Sequence, residues 1–556
     1  MSTLAKAISV AVLMGTAGQS VAAINQAAID RALAAIHQNP TATRLSASDT
    51  FTARSLTVDR NGVEHMHMDR SYKGLRVIGG DLVVHSKATG TFKSASLTIA
   101  KPINVGTTPT LSSSTAITNA GVDFGTQFDA VPTARLVVYA RGATPKLAYD
   151  VLYSGQAKDK TPILMHYYVD AATGAILDKS NDIETGTLPG TGYPTGNPPP
   201  PPNNTPAIGQ GNSLYAGVVT LNTQWNATRR VYEMKDSTRG GTYITDIGNG
   251  YRGAGTLVVD GDNKWGNGAL TDRVSTAVDA AHGFALTWDF YKDNFGRLGI
   301  AGDGVGAYGA VHYANGYNNA FWNNQCFCMS FGDGDGVNLH PLVAIDVMGH
   351  EVSHGVTAAT AGLLYSSETG GLNEANSDIM GTMVEHFADN AQQPPNYIIG
   401  DTLFINQDPT RKAIRWMFKP HLDGISPDCY PSATNPSNGI TLPNFKAMDV
   451  HYSSGVANHF FYLLAEGAVV PAGFGAGTSA NLGPSDLVCN GNTGLAGIGR
   501  DKAQQIWYLA LTTYMTSNTD YAGAKTATLN AAADLYGAGS AEQNAVVAAW
   551  AAVYMP

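Results

Sequence analysis

Asp346-Val347-Met348-Gly349-His350-Glu351-Val352-Ser353-His354, followed by Gly371-Leu372-Asn373-Glu374-Ala375-Asn376-Ser377-Asp378, is the stretch around which the chain is organised. On a helix His350 and His354 stand one turn apart on one face, so both imidazoles can reach a single ion. Glu351 lies beside them, near enough to touch a water on that ion without ligating the ion itself. Glu374 offers a carboxylate as third ligand, and Asp378 follows one turn later on the same face. Two His, one Glu and an open fourth position are the donor set of a catalytic zinc site. With 14 His and 44 Asp+Glu in 556 residues, chance supplies roughly 0.03 such His-acid-x-x-His windows. The helix also has an apolar face, Ile345, Met348 and Val352, that can bury it. Burying two His and a Glu destabilises a fold unless something pairs them, and a zinc ion would.

The surroundings assign supporting roles. A metal-bound imidazole needs its other ring N–H held by an acceptor; Asp378 is spaced to hold His350 and Asn373 to hold His354. A ligand set completed by a third His six residues after His354 is excluded, because Thr357 and Thr360 occupy the diagnostic positions. Glu351 reads as the general base. An oxyanion needs donors besides a metal; His451, two residues from Asp449, supplies one and Tyr365 a second. Two other functions fit the residues less well. A binding protein with structural zinc would close its metal with four protein ligands, and a glycosidase using Glu351 and Glu374 as its acid/base pair leaves both His without a purpose.

Working outward, the chain is too long for one ordinary domain and implies three or four. Hydrophobic residues at 44% allow a sizeable core, and a net charge of -10 argues against nucleic acid and anionic membrane as partners. Lys6, the apolar run from Ala7 to Gly18 and the small residues Ser20-Val21-Ala22-Ala23 read as a signal peptide over 1–23, directing the chain out of the cell. That run is too short to span a bilayer, and no later segment is long enough. Four cysteines suit an oxidising compartment and allow three pairings. Cys429 with Cys489 is favoured, leaving Cys326 and Cys328 as a local bridge or a free pair.

Residues 24–183 alternate short strands and turns without clustered catalytic residues. Leu75 to Val84 reads as two strands about Gly79-Gly80; a second unit has a helix from Ser112 to Ala120 and strands at 135–140, 146–153 and 164–170. His65, His67, His85 and His166 read as satisfied sheet histidines. Residues 184–211, with Pro198 to Pro202 in succession, read as an extended linker open to proteolysis. A β-rich lobe follows over 212–360, ending in the metal helix, and a helical lobe over 361–556 with helices at 456–466, 500–516, 521–536 and 541–553. The fold class expected is α+β and multidomain.

Residues 278–459 resemble the thermolysin family of secreted zinc endopeptidases, through Asn318-Asn319-Ala320-Phe321-Trp322, the two stretches quoted above, and Asp449-Val450-His451-Tyr452-Ser453-Ser454-Gly455. The Asp-Val-His form is similar to the pseudolysin and vibriolysin branch. Leu75 to Val84 is similar to the family's propeptide motif (about 45–100), and 110–180 resembles a PepSY unit. The resemblance implies one catalytic zinc on His350, His354 and Glu374, with Glu351 catalytic, His451 and Tyr365 stabilising the oxyanion and Asp449 orienting His451. It implies that Asn319 and Ala320 bind substrate backbone, that Arg415 binds a substrate carbonyl, and that Leu342, Val347 and Ile414 wall a pocket for the apolar residue after the cut. Structural calcium is implied on Asp346 and Glu385; Thr382 and Asn396 stand where related enzymes often carry acids, which leaves the number of ions open. Also implied are protein and peptide substrates, a propeptide acting as intramolecular inhibitor and chaperone until cut off within the linker, and a monomeric mature form.

Overall fold

The computed structural model describes residues 20–21, 25–157, 162–184, 204–410, 412–432 and 436–555. Most of the expected signal peptide and Pro198 to Pro202 lie outside them; of residues 1–23 only Ser20 and Val21 are described, paired with Val58 and Thr57.

The first helix, Gln26–Gln38, is capped by the Asn25 side chain, which accepts from the Ala28 N–H. Ala28, Ala32, Ala35 and Ile36 repeat at helical spacing and pack on Leu56, Met66, Met68, Leu82 and Val84 of the sheet beneath. That sheet joins Asp49–Val58, Val63–Tyr72, Leu82–Lys87 and Phe92–Leu97 in antiparallel pairs. The two strands about Gly79-Gly80 exist, Leu75–Ile78 and Leu82–Lys87, but are not a hairpin. The first pairs with Ser71 and Tyr72 and, in parallel, with Val138 and Tyr139 of the second unit. Gly79, at φ 73°, lets the chain cross between them. The second unit packs helix Ser113–Phe124 on Thr133–Tyr139, Lys146–Gln156, Pro162–Asp170 and Ile176–Asn181.

The expected linker is corrected at its end. Asn204–Asn212 is a strand paired over its length with Val218–Asn226 and, in parallel, with Lys264 and Trp265. Its polar, Gly-containing composition hid this. Gly211 is what the packing needs, since a Cβ there would stand 2.5 Å from Val278 and 2.9 Å from Leu221. A seven-stranded sheet follows, in which Ala320–Asn323 lies between Cys328–Gly332 and the two-residue strand Ile183–Glu184. Helix Arg273–Phe295 backs this lobe, capped by Asp272 and ended by Gly296 at φ 68°.

Helices Ile345–Ala359 and Ser367–Ala388 cross at two glycines. A Cβ on Gly349 would meet the Gly381 Cα at 2.9 Å, and one on Gly381 would meet the Asp346 carbonyl at 2.4 Å. Close approach of the two backbones sets the reach between the first helix's His and the second's carboxylates. Behind them lie Gly455–Ala465, buried at every position, Arg500–Leu509, Tyr521–Tyr536 and Ala541–Ala552, with Phe460 stacked on Trp550 at 3.8 Å. The helix expected over 500–516 is α-helical only to Leu509; Ala510–Tyr514 widens to a π turn. Cys429 bonds Cys489, and Cys326 bonds Cys328. No helix among the described residues is long and apolar enough to cross a membrane.

His282, on the 273–295 helix, gives this lobe an acid limit. Burial, with Arg239 adding to it, lowers its imidazole to about 4. The unfolded chain takes up the proton first, near its ordinary value of about 6.5. Stability therefore falls as pH drops through 6.5 and goes on falling to about 4. Thermal midpoints of the full-length chain should decline across that window, and His282→Gln should flatten the decline.

Candidate metal centre

His350 and His354, both buried, put their Nε2 atoms 3.1 Å apart. From the crossing helix, the Glu374 carboxylate stands 3.5 Å from His350 Nε2 and 3.4 Å from His354 Nε2. The three ligand atoms lie within 4.8 Å of one another, and among the described residues Glu374 Oε2 has no hydrogen-bond partner although it is buried. Two imidazole nitrogens and a carboxylate oxygen converging where all three residues are buried fit a zinc ion, and three protein ligands leave a fourth position for a reacting group.

The remaining ring nitrogens are held from behind. His350 Nδ1 donates to Asp378 Oδ1 at 2.8 Å and His354 Nδ1 to Asn373 Oδ1 at 2.9 Å. Asp378 also accepts from Arg415 Nε and Nη2, at 2.7 and 2.6 Å, and from Asn458 Nδ2 at 2.7 Å. Burial works to raise Asp378, but Arg415 and His350 outweigh it and hold the carboxyl far below its ordinary range. Glu374 behaves alike: against burial, His451, His354, His350 and Arg415 bring it down to about 2. The imidazoles divide, His350 lowered by burial, His354 raised to about 10 because Glu374 and Glu184 overcome burial. Together the pocket draws in positive charge.

Glu351 lies on the same helix, next to His350 in the chain. Its Oε2 is buried without a hydrogen-bond partner, and burial pushes the carboxyl up to about 8. Across the pocket, Asp449 caps the short helix Val450–Ser453 and takes both the His451 N–H, at 3.0 Å, and Nδ1–H, at 2.6 Å. That fixes His451 with Nε2 3.5 Å from Glu374 Oε1 and 3.3 Å from the Tyr365 hydroxyl. Tyr365 itself donates to Glu374 Oε1. Glu374 and Asp449 raise His451 above its ordinary value against the pull of burial.

Asn319 precedes strand Ala320–Asn323, and its Oδ1 accepts from the Ala320 N–H at 3.0 Å. Leu342 and Val347 are buried in the core that Ile414 packs against. Asp346 and Glu385 lie apart from the zinc ligands in an acidic cluster that also holds Asp401, which the sequence reading missed. Asp346 accepts from the Gly400 N–H at 2.6 Å, Glu385 from the Asn396 N–H at 3.1 Å, and Asp401 from Asn396 Nδ2 at 3.2 Å. Burial, reinforced by mutual repulsion, raises Asp346 to about 7 and Glu385 well above its ordinary value. Asp346 and Glu385 are buried and Asp401 half-buried, so negative charge is concentrated here.

Glu184 is the second residue missed. Ile183 pairs with Asn323 and Glu184 with Trp322 along the outer edge of strand Ala320–Asn323. The buried Glu184 carboxylate accepts from Asn373 Nδ2 at 3.1 Å and lies 3.3 Å from His354 Nδ1. No local pattern announces this, since its partners are far along the chain.

Residues 208–358 match the family described as thermolysin metallopeptidase, catalytic domain; 361–555 match its alpha-helical domain; 49–99 match the fungalysin/thermolysin propeptide motif. The chain is 42% identical over 517 residues to the transglutaminase-activating metalloprotease of Streptomyces mobaraensis, spanning 92% of this chain but only 61% of that one. It is 34% identical over 515 residues to thermolysin of Alicyclobacillus acidocaldarius subsp. acidocaldarius, spanning 89% and 84%. A solved precursor of protealysin from Serratia proteamaculans superposes with a TM-score of 0.43 at 28% identity, over 57% of this chain and 87% of that one.

Proposed function

The chain belongs to the thermolysin family of metallopeptidases and carries that family's propeptide motif, and from there we propose that it is the precursor of a secreted, zinc-dependent neutral endopeptidase cutting on the amino side of bulky hydrophobic residues. One observation carries the reading: His350, His354 and Glu374 converge in a pocket beside Glu351, a buried carboxylate oxygen that no protein group satisfies. In this reading His350, His354 and Glu374 hold zinc, whose contribution is Lewis acidity toward water and a peptide carbonyl. Glu351 takes a proton from the attacking water and delivers it to the leaving amine. His451 and Tyr365 donate toward the developing oxyanion, with Asp449 holding His451 by Nδ1. An extended substrate lies along strand Ala320–Asn323, its backbone met by Asn319 and Ala320 and a carbonyl by Arg415. Leu342, Val347 and Ile414 receive the apolar side chain after the cut. Calcium among Asp346, Glu385 and Asp401 braces the helix pair. Export is supported by the N-terminal sequence and the two disulfides, and the mature form is a monomer.

The front part is the intramolecular inhibitor. Ile183 and Glu184 already occupy the strand edge that a substrate would use, and removal within residues 185–203 would free it. Arg141 pins this part in place: with its side chain 6% exposed, it donates to Asp178, Asn518, Ser366 and Thr369. Truncating such a buried arginine anchor typically weakens an interface by about 2 kcal/mol or more. Arg141→Ala should therefore speed conversion of the full-length chain to its mature form by roughly ten-fold or more, read on gels over time.

The function itself is tested by digesting a peptide library with the mature form. Cleavage before Leu, Phe and similar residues, lost on chelation and restored by zinc, is expected. Cleavage that survives chelation would overturn the reading.

A further inference from the structure

Where the front part meets the helical lobe, a second group of metal-type ligands spans the two. Asp59 sits in a tight turn; its Oδ1 accepts from the Asn61 and Val63 N–H groups, both at 2.8 Å. Its Oδ2 is buried and has no hydrogen-bond partner among the described residues. Facing it at 3.5 Å is Nε2 of His65, a fully buried residue, and this nitrogen has no hydrogen-bond partner either. The carboxylate of Asp534, on helix Tyr521–Tyr536, completes the group, with the three ligand atoms within 4.8 Å of one another. His67, His85 and His166 find hydrogen-bond partners as expected of sheet histidines; His65 departs from that expectation at Nε2.

The protons can be followed through the cluster. His85 Nε2 lies 2.8 Å from Ser96 Oγ, and His85 Nδ1 lies 2.7 Å from His65 Nδ1. If His85 donates from Nε2 to Ser96, its Nδ1 accepts from His65 Nδ1–H, and His65 Nε2 is left as a bare lone pair directed at the two carboxylates. The opposite arrangement puts a proton on Nε2 at a separation too long for a good hydrogen bond to Asp59. An imidazole whose far N–H is held by an acceptor is the form that ligates metals. The Tyr514 ring lies against both imidazoles, 5.8 Å from His65 and 4.9 Å from His85 between centroids, and its hydroxyl donates to Asp534. Among the described residues the lysine at the group is Lys93, exposed, with Nζ 4.0 Å from Asp534. Two carboxylates against one ammonium at 4.0 Å leave a net negative charge beside a fully buried imidazole.

We propose that Asp59, His65 and Asp534 form a second divalent metal site, of the zinc class, that cross-links the front part of the chain to the helical lobe. One imidazole with two carboxylates favours zinc over calcium or magnesium, which prefer all-oxygen shells. Two ligands belong to the part that maturation removes and one to the part that stays, so the site exists only in the uncut chain. It thus adds a metal tie to the hydrogen bonds that hold the two together there, such as that from Asn61 to the Asp534 carbonyl at 3.5 Å.

Zinc counting on the intact chain tests this. The full-length Glu351→Gln form, kept uncut, is loaded with zinc, stripped of loose metal and analysed by plasma mass spectrometry. The expected content is about two zinc ions per chain, falling to about one in Asp534→Asn and, separately, in His350→Ala. Asp534→Asn is near-isosteric and only partly buried; His65→Gln is the second variant, and zinc-edge anomalous diffraction from the parent form locates the ion directly. A single zinc that vanishes with His350→Ala and persists in Asp534→Asn would overturn the second site while leaving the peptidase reading intact. Two zinc ions in Asp534→Asn would overturn it equally.

Discussion

Glu351→Gln lowers peptide hydrolysis by roughly 10³-fold or more while zinc stays bound. The substitution keeps shape and volume and leaves His350, His354 and Glu374 untouched, so the ion-holding geometry survives. What goes is a buried carboxylate whose Oε2, among the described residues, has neither ligand nor hydrogen-bond duty. An amide cannot take a proton from water at neutral pH, so the effect falls on kcat rather than KM. The same change should stop the full-length chain from maturing by itself. Activity within ten-fold of the parent, at full zinc content, would assign the base elsewhere.

The second large effect is Asp378→Asn. Asp378 is fully buried and serves three partners at once: His350, Arg415 and Asn458. Arg415 is 9% exposed and cannot shed its proton to escape burial. Removing one partner of a buried charge pair destabilises by about 3–5 kcal/mol, because the other charge is stranded. His350 meanwhile loses the acceptor that fixes its tautomer, which lowers metal affinity by about 10–100-fold. Urea unfolding and zinc competition with a chromophoric chelator measure the two effects separately. Adding Arg415→Leu should restore much of the stability and none of the zinc affinity. Unchanged stability in Asp378→Asn would mean that Arg415 finds another counter-ion, and Glu374 at 3.9 Å is the one within reach.

These two residues also show what could be read from the sequence. His350, His354, Glu374, Asp378 and Asn373 are spaced by helical turns on two helices, so their convergence follows from periodicity and from the chemistry of imidazole ligands. Asp449 and His451 were legible as a carboxylate two residues from an imidazole. Glu184 was not: its role comes from a strand pairing with Trp322, and nothing near residue 184 encodes that contact. Asp401 was missed because it joins Asp346 and Glu385 only once the chain folds back. The strand Asn204–Asn212 looked like linker, since its polar residues owe their order to a neighbouring strand rather than to an apolar alternation of their own. Likewise Gly79-Gly80 signals a turn correctly, yet only the tertiary fold shows that both strands pair with Val63–Tyr72 and then part, the first to Val138 and Tyr139 and the second to Phe92–Leu97.

The most direct measurement is an anomalous difference map of the crystallised chain on either side of the zinc edge. A peak about 2.0–2.2 Å from His350 Nε2, His354 Nε2 and the Glu374 carboxylate is the predicted result. A map empty between those three residues, from protein that still cleaves peptides, would contradict the account.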